Sequence, residues 1–153
     1  MELVGEQLIP RPQGVTWSSL TDPEVLKVCI PGCESMDKIS DSEFDLVMGA
    51  KVGPVSAKFK SKITLTDVDA PNSYTLVFEG QGGVAGFAKG QAHVRLSPDG
   101  EGTRLQYTAK ATIGGKLAQV GSRLVDGVAK KLAENFFTKF NEHMSGEGVK
   151  GQV

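Results

Sequence analysis

Side chains that could carry out catalysis are scarce in this sequence, and they do not form a recognisable catalytic group. The two histidines, His93 and His143, are far apart. His93 lies in a stretch of alternating polar and apolar residues, where its position predicts that it faces solvent. The hydroxyl groups of Ser61 and Tyr107 are predicted to face the interior. Because no histidine or carboxylate is expected beside them, these hydroxyls suit hydrogen bonding to a ligand carbonyl better than acid–base catalysis.

The two cysteines, Cys29 and Cys33, lie four residues apart in the stretch VCIPGCE. A zinc site needs further cysteine or histidine ligands at suitable spacing, and we expect no metal here. We interpret the cysteines as reduced structural thiols, with a redox pair as the alternative. The glycine-rich stretch EGQGGVAG lacks the lysine and the following helix of a phosphate-binding loop, so we predict no nucleotide site.

The balance of charge excludes another class of partner. Among 153 residues, 17 are basic and 18 are acidic, which gives a net charge of −1. Because nucleic-acid binding depends on an excess of basic side chains, we expect no nucleic-acid partner. Lys58, Lys60 and Lys62 share the outer face of one predicted strand. We interpret them as a solvated face, with contact to an acidic protein or anionic lipid as the alternative.

The first part of the chain predicts one strand and two short helices. Residues 1–9 read as a strand that ends at prolines, and residues 13–20 and 22–28 read as helices. The second helix is expected to begin at Asp22, with Pro23 in its first turn. The first ten residues do not resemble a signal peptide, and no run of about 18 apolar residues follows. We therefore expect a cytoplasmic protein.

Most of the remaining chain alternates apolar and polar residues, as antiparallel strands do. Residues 34–113 predict about six such strands, of which the last two are residues 84–96 and 103–113. Apolar residues at helical spacing then predict one long helix over residues 116–144. The polar, glycine-rich tail, residues 145–153, is predicted to be disordered.

These elements predict one domain over residues 1–144 with an α+β architecture. A curved antiparallel sheet of about seven strands would wrap around the long C-terminal helix, because nothing else in the chain can cover that helix's apolar side. Residues with very small side chains, including Ala88, Gly90 and Ala92, are expected on the inner wall of the sheet. The helix opposite this wall carries Gly121 and Gly127.

Two interpretations of these small residues remain open. They can allow helix and sheet to approach closely, or they can leave a cavity for an apolar ligand. An empty cavity of about 300 Å³ would cost about 7 kcal/mol, which is comparable to the stability of a whole domain, about 5–15 kcal/mol. The space would therefore have to collapse, fill with water or hold a ligand. The residues predicted to contact such a ligand are Trp17, Ala57, Phe59, Ser61, Ile63, Phe78, Ala88, Gly90, Ala92, Tyr107, Ala109, Gly121, Leu124 and Val128.

Four stretches of the sequence resemble the family of the carbon monoxide dehydrogenase G-subunit. They are DPEVLKVCIPGCESM at residues 22–36, KVGPVSAKFKSKITLTDVD at 51–69, YTLVFEG at 74–80 and TRLQYTAKATIGGKLAQVGSRLV at 103–125. This family belongs to the START/Bet v1-like, or SRPBCC, superfamily, whose members have a helix-grip fold. The resemblance therefore implies an internal cavity for a hydrophobic ligand beneath the C-terminal helix.

The resemblance also implies a role beside a molybdenum-containing hydroxylase of the carbon monoxide dehydrogenase type. We expect a non-enzymatic carrier of a quinone or isoprenoid lipid, with no covalent cofactor. One alternative is an assembly or membrane-docking factor for that enzyme, with peripheral contact at the inner membrane face. Another is a small cyclase or hydrolase on the same scaffold. Some family members carry a C-terminal extension suited to membrane anchoring, which we do not expect in this chain.

Overall fold

The strands form one antiparallel sheet in which chain neighbours are mostly also neighbours in space. The computed structural model describes residues 1–147. Its strands are β1 (Glu2–Ile9), β2 (Cys33–Ser40), β3 (Glu43–Val52), β4 (Val55–Asp69), β5 (Ser73–Gln81), β6 (Phe87–Asp99) and β7 (Gly102–Gly114). The order across the sheet is β1-β7-β6-β5-β4-β3-β2. The predicted seven-stranded meander is confirmed, and β1 joins its end beside β7.

The helices cover one face of this sheet. They are α1 (Gln13–Leu20), α2 (Pro23–Cys29), α3 (Lys116–Gln119) and α4 (Ser122–Glu142). The predicted start of α2 is confirmed, because the Asp22 carboxylate accepts a hydrogen bond from the Glu24 backbone N–H at 2.9 Å. None of the helices within residues 1–147 is long and apolar enough to span a lipid bilayer.

The prediction of one unbroken helix over residues 116–144 is wrong at Gly121. This residue has φ of +101° and separates α3 from α4. Side-chain-bearing residues rarely adopt that conformation, whereas glycine adopts it freely. The helix is therefore interrupted at Gly121, although Leu117 before the break and Val128 after it face the same cavity. Gly127 lies within α4, is exposed, and has open space around it.

The predicted start of β6 is also wrong. A single 3-10 turn, Gly83–Ala85, precedes the strand, which begins at Phe87. Gly86 has φ of +110°, and Gly82 donates its backbone N–H to the Gly86 carbonyl oxygen at 2.8 Å. This loop turns Val84 outward, with 86% of its surface exposed, and buries Ala85 instead.

Within residues 1–147, the core between sheet and helices consists of two separate clusters. We call the larger one the main cluster; it includes Phe44, Leu105, Phe137 and Phe140. The smaller one, the end cluster, contains Val52, Phe59, Ala85, Leu117 and Val125. The end cluster lies where α3 and the first turn of α4 meet the turn between β3 and β4.

Hydrogen bonds near the loop after β1 hold the C-terminal end of the described chain in place. The Arg11 side chain donates from Nε to the Met144 carbonyl oxygen at 2.6 Å. Thr103 is buried, and its hydroxyl donates to the Arg11 carbonyl oxygen at 2.7 Å. The chain continues after α4 through one π-helical turn, His143–Glu147. The rest of the tail that we predicted to be disordered, residues 148–153, lies outside the described residues.

Candidate functional site

A cavity of about 350 Å³ lies between the inner face of the sheet and α4. Strands β3, β4 and β5 form much of its wall, and Ala88, Ala111 and Ile113 close it on the β6 and β7 side. Helix α4 contributes Val125, Val128, Ala129 and Leu132. These positions are three or four residues apart, so they share one face of the helix.

The cavity lies between the two core clusters. Leu46 and Ile63 of the main cluster line it, and so do Phe59, Leu117 and Val125 of the end cluster. A molecule bound in the cavity would therefore contact both clusters and join them into one continuous core.

The cavity wall is almost entirely apolar. Ser61 and Glu79 are the polar side chains among its lining residues within the described part of the chain. The Ser61 hydroxyl donates to the carbonyl oxygen of Phe59 on the same strand at 3.5 Å. Because that distance is at the limit of a hydrogen bond, the hydroxyl keeps most of its donor capacity for a ligand.

Gly80, on the neighbouring strand, leaves room for the Ser61 hydroxyl. The two residues are paired in the sheet, and a β-carbon at Gly80 would lie 2.9 Å from Ser61 Oγ. Gly80 is buried. A side chain at this position would therefore have to displace the Ser61 hydroxyl from the cavity wall.

A second cavity, of about 180 Å³, lies deeper in the main cluster. It shares Ile30, Ile63 and Leu76 with the first cavity, so the two are separated by these side chains. Its polar lining residues among those described are Tyr74 and Tyr107.

Tyr107 is positioned by an aromatic stack and by a glycine. Its ring stacks on that of Phe137 on α4, with 5.4 Å between ring centroids and 24° between the ring planes. Its hydroxyl lies over Gly5 of β1, where a β-carbon would collide with it. Burial raises the pKa of Tyr107, and the negative charge of Glu134 raises it further. The hydroxyl therefore stays protonated at neutral pH and can donate a hydrogen bond.

The structure brings many of the predicted ligand-contact residues to these cavities. Those that line the larger cavity are Phe59, Ser61, Ile63, Phe78, Ala88 and Val128. Ala92 and Tyr107 line the smaller cavity. The predicted residues that line neither cavity are Trp17, Ala57, Gly90, Ala109, Gly121 and Leu124.

Several of these exceptions have a clear local cause. Trp17 packs edge-on against Tyr74, with 5.3 Å between ring centroids, and so belongs to the core. Gly90 lies against the backbone carbonyl of Lys110 on β7, where a β-carbon would collide with that oxygen. Leu124 is 40% exposed because it lies at the edge of the helix face formed by Val125, Val128, Ala129 and Leu132, which line the larger cavity.

Sequence reasoning missed several lining residues. Met48 and Val52 belong to the alternating pattern of β3, so that pattern contained the signal that they face inward. Ile30 follows the last turn of α2, and its sequence neighbourhood gives no comparable signal. Val125 was missed because the inward position was assigned to its neighbour Leu124.

Two of the three outward lysines on β4 form ion pairs with glutamates. Lys58 Nζ lies 3.1 Å from a carboxylate oxygen of Glu34, and Lys62 Nζ lies 3.6 Å from one of Glu43. His93 is exposed on the outer face, as predicted, with its Nδ1 at 3.3 Å from the Thr75 hydroxyl. This histidine is therefore remote from both cavities.

The two cysteines are free thiols. Cys29 is fully buried, and burial raises its pKa. The Cys33 thiol donates to the Ser35 carbonyl oxygen at 3.3 Å, and burial raises its pKa as well. Both thiols are therefore protonated at neutral pH, which lowers their reactivity.

Comparison with known proteins gives one family and a group of solved structures. The family model that describes the G-subunit of carbon monoxide dehydrogenase (CoxG) matches residues 5–145. The chain is similar to a conserved protein from Geobacillus kaustophilus, with 33% identity over 95% of each chain and a TM-score of 0.88. No curated protein matches the sequence.

More distant structures share the fold. A START superfamily protein from Mycobacterium smegmatis is 13% identical, with 94% of this chain and 96% of that chain covered and a TM-score of 0.71. Ara h 8.0201 is also 13% identical, with 96% of this chain and 99% of that chain covered and a TM-score of 0.65. At such low identity these likenesses show the START and Bet v1-like helix-grip fold alone.

Proposed function

Because the chain belongs to the CoxG family of carbon monoxide dehydrogenase G-subunits, we propose that it is a non-enzymatic carrier of an apolar small molecule. The class of ligand we favour is a quinone or another isoprenoid lipid. The carrier would serve as an accessory protein to a molybdenum-containing hydroxylase. The observation that supports this proposal best is the apolar cavity of about 350 Å³, to which Ser61 contributes a hydroxyl group.

The energy of the empty cavity supports an occupant. At about 24 cal/mol per Å³, a dry cavity of 350 Å³ would cost about 8 kcal/mol if it were sealed, which is an upper limit for this partly open cavity. That figure is close to the whole stability of a domain of this size. Water would find few hydrogen-bonding partners on such a wall, and stable buried water typically makes about three hydrogen bonds. An apolar ligand fits the wall better than water does.

The geometry supports different contacts for the tail and for the headgroup of the ligand. The apolar tail of the ligand would fill the space between α4 and the sheet, with a gain of about 25 cal/mol for each Å² of apolar surface removed from water. The Ser61 hydroxyl would donate a hydrogen bond to a carbonyl oxygen of the headgroup. Tyr107 lines the smaller cavity and would meet only a ligand that extends past Ile30, Ile63 and Leu76.

Organic extraction followed by mass spectrometry tests the proposal directly. The protein would be purified from its native host without detergent, and its extract compared with that of a mock purification. We expect a stoichiometric quinone or isoprenoid lipid. An extract that matches the mock, together with no uptake of quinone on titration, would contradict the proposal.

Filling the cavity tests where the ligand binds. Ala88→Leu places a larger side chain in the wall of the larger cavity and should abolish quinone uptake. Ala118→Leu is the matched control, because Ala118 is exposed on α3 and lines neither cavity. Equal affinity in the Ala88→Leu and wild-type proteins would mean that the ligand binds elsewhere.

The alternative role, an assembly or membrane-docking factor, would use the surface of the protein. The ion pairs of Lys58 and Lys62 leave Lys60 as the lysine of that face without an ion pair within residues 1–147. A pull-down of the hydroxylase would test this role. Binding that persists in Ala88→Leu but is lost when the charges of Lys58, Lys60 and Lys62 are reversed would favour it. A cyclase or hydrolase is less well supported, because Ser61 and Tyr107 line different cavities.

A further inference from the structure

The smaller cavity, of about 180 Å³, is a second candidate site that the proposed function does not use. It lies between the inner face of the sheet and the helices, where Leu20 of α1 and Phe136 of α4 contribute to its wall. Ile30, Ile63 and Leu76 separate it from the larger cavity. Because three large side chains stand between the cavities, each can hold a molecule of its own.

The floor of the smaller cavity contains two short side chains of β6, Ala92 and Val94. Val94 is paired with Tyr74 of β5 on one side and with Tyr107 of β7 on the other, so the two tyrosines lie in one row across three strands. Side chains in such a row point to the same face of the sheet. Two long side chains therefore flank two short ones, and the difference in length leaves room above β6.

The two cavities differ in the side chains that line them. Phe59 and Phe78 are the aromatic residues of the larger cavity within residues 1–147. The smaller cavity has about half that volume, but five aromatic residues line it: Phe44, Tyr74, Tyr107, Phe136 and Phe137. Aromatic rings pack favourably in stacked and edge-to-face arrangements. The larger cavity therefore suits a flexible chain, whereas the smaller one suits a ring.

Tyr74 brings an unpaired hydroxyl group to this aromatic wall. The residue is 4% exposed, and its hydroxyl forms no hydrogen bond with another group of residues 1–147. Burial raises the pKa of Tyr74, so the group is protonated at neutral pH. A buried hydroxyl without a partner is unfavourable, because it has lost its hydrogen bonds to water and gained none in return. An acceptor atom inside the cavity would restore one.

An organic ring fits this cavity better than water does. At about 30 Å³ for each water molecule, the cavity would hold several of them, and each stable buried water makes about three hydrogen bonds. The unpaired hydroxyl of Tyr74 cannot satisfy so many. An apolar cavity of about 150 Å³ engineered into another protein binds benzene. The volume found here therefore matches one six-membered ring with a small substituent.

From these observations we propose that the smaller cavity is a separate binding site for an uncharged single-ring molecule that carries a carbonyl oxygen. The ring would contact the aromatic wall, and the Tyr74 hydroxyl would donate a hydrogen bond to the carbonyl oxygen. A charged ring fits poorly, because the described residues that line this cavity include no charged side chain. This site goes beyond the proposed function, whose ligand occupies the larger cavity.

NMR titration with acetophenone tests the proposal. This probe is one benzene ring with a carbonyl group, and α-methylstyrene has the same shape without the oxygen. The Ala92 methyl group and the indole N–H of Trp17, the one tryptophan, report on the smaller cavity, because Ala92 lines it and Trp17 packs against Tyr74. We expect both signals to move in the wild-type protein. They should also move in Ala88→Leu, in which a larger side chain fills the other cavity.

Substitutions in the two cavities test the role of each hydroxyl. Tyr74→Phe should weaken the binding of acetophenone about fivefold, the value of one hydrogen bond, and should leave that of α-methylstyrene unchanged. Ser61→Ala is the matched control, because it removes a hydroxyl from the larger cavity and should alter neither titration of the Ala92 signal. Ala92→Leu should abolish the binding of both probes. Equal weakening of both probes by Tyr74→Phe would contradict the hydrogen bond.

Two results would overturn the separate site. One is an Ala92 signal that does not move, or that no longer moves in Ala88→Leu, since the ring would then bind in the larger cavity or nowhere. The other is release of bound acetophenone by a quinone with an isoprenoid tail, since one molecule would then fill both cavities. A protein that takes up no quinone but binds acetophenone beside Ala92 would contradict the carrier role and support this site.

Discussion

In the inner wall of the sheet, the alanines leave space for the cavities, whereas Gly90 allows two backbones to approach closely. Ala88, Ala92 and Ala111 line the cavities because their side chains end at the β-carbon. Gly90, on the same inner face, instead permits a close approach of β6 to β7. Gly80 combines the two roles, since it is buried and leaves room for Ser61. A small residue in a sheet is therefore not by itself evidence of a ligand-binding site.

The Ser61 hydroxyl should matter for the headgroup of a ligand and not for its tail. Ser61→Ala removes one hydrogen bond to a carbonyl, which is worth about 1 kcal/mol. We expect a roughly fivefold loss of affinity for a quinone and no change for a hydrocarbon of similar shape. Tryptophan fluorescence titration can measure both, because the chain has one tryptophan. Equal losses for both ligands would show that Ser61→Ala acts through packing.

Tyr74 should make the fold sensitive to alkaline pH. Burial raises its pKa above the ordinary value of 10.0. The unfolded chain would release this proton near pH 10, whereas the folded protein holds it to higher pH. The stabilisation is therefore complete below about pH 10 and is lost as the pH rises further. Urea unfolding should show a smaller alkaline loss for Tyr74→Phe than for wild type.

The second tyrosine provides the control for this experiment. Tyr107 is half-buried, so Tyr107→Phe should reduce the alkaline loss less than Tyr74→Phe does. With two tyrosines in the chain, absorbance of the phenolate in the folded protein can follow each one in the variant that lacks the other. A Tyr74 that titrates normally in the folded protein would contradict the prediction.

Among the elements, α4 shows why a predicted helix can contain two glycines for unrelated reasons. Gly121 has φ of +101° and ends one helical segment before the next begins. Gly127 lies on the solvent side of α4 with open space around it. The first is required by the backbone conformation, and the second merely weakens the helix.

Alanine at these two positions should have effects of opposite sign. Gly121→Ala forces a side chain into a backbone conformation, φ of +101° and ψ of 143°, that is nearly exclusive to glycine, and should destabilise the fold by about 1–3 kcal/mol. Gly127→Ala improves an exposed helix interior and should stabilise it by about 1 kcal/mol. Urea unfolding of the two variants measures both changes. Destabilisation by Gly127→Ala would mean that this glycine makes a contact that the structure does not show.

The sequence predicted most elements well, because their signals are local. The bounds of α1 agree with the structure, and the strand pairing follows the meander that alternation indicated. The break in the C-terminal helix escaped prediction because Leu117, Val120 and Leu124 fit one continuous apolar spacing. The apolar spacing continues across Gly121, since Leu117 and Val128 line the same cavity, and the sequence does not reveal the positive φ of this glycine.

The cavity was harder to predict than the sheet that surrounds it. Alternation correctly placed Phe59, Ser61 and Ile63 on the inner face, and all three line the larger cavity. It could not distinguish them from Ala57, which lines neither cavity. The difference depends on how far α4 lies from each point of the sheet, which is set by packing between distant parts of the chain.

For the whole molecule, the division of the core into two clusters should divide its stability as well. The main cluster contains most of the buried side chains, whereas the end cluster has five buried members and lies beyond the cavity. With an empty cavity, little apolar contact would connect them. The end cluster should therefore open more readily than the main one.

Hydrogen exchange can test this difference. In the ligand-free protein, backbone amides of α3 and the first turn of α4 should exchange faster than those of β6 and β7. A bound ligand would contact both clusters and should slow exchange at the end cluster most. Added ligand should protect Ala118→Leu as it protects wild type, because this substitution leaves the cavity unchanged. Uniform exchange across the two clusters without ligand would contradict the prediction.

Charge is unevenly distributed along the strands, because Lys51, Lys116 and Arg123 lie at one end of the sheet and Asp41, Asp99 and Glu101 lie at the other. This distribution determines which charges a nearby charged surface would interact with. β6 alone has 13 residues, and at about 3.4 Å per residue it spans roughly 40 Å. Electrostatic interactions in physiological salt are screened over about 8 Å. A surface would therefore respond to the charges of the nearer end and hardly to those of the far end. A protein that is weakly anionic by its total charge would approach an anionic surface as a cation, and the orientation of its approach would be set before the first contact.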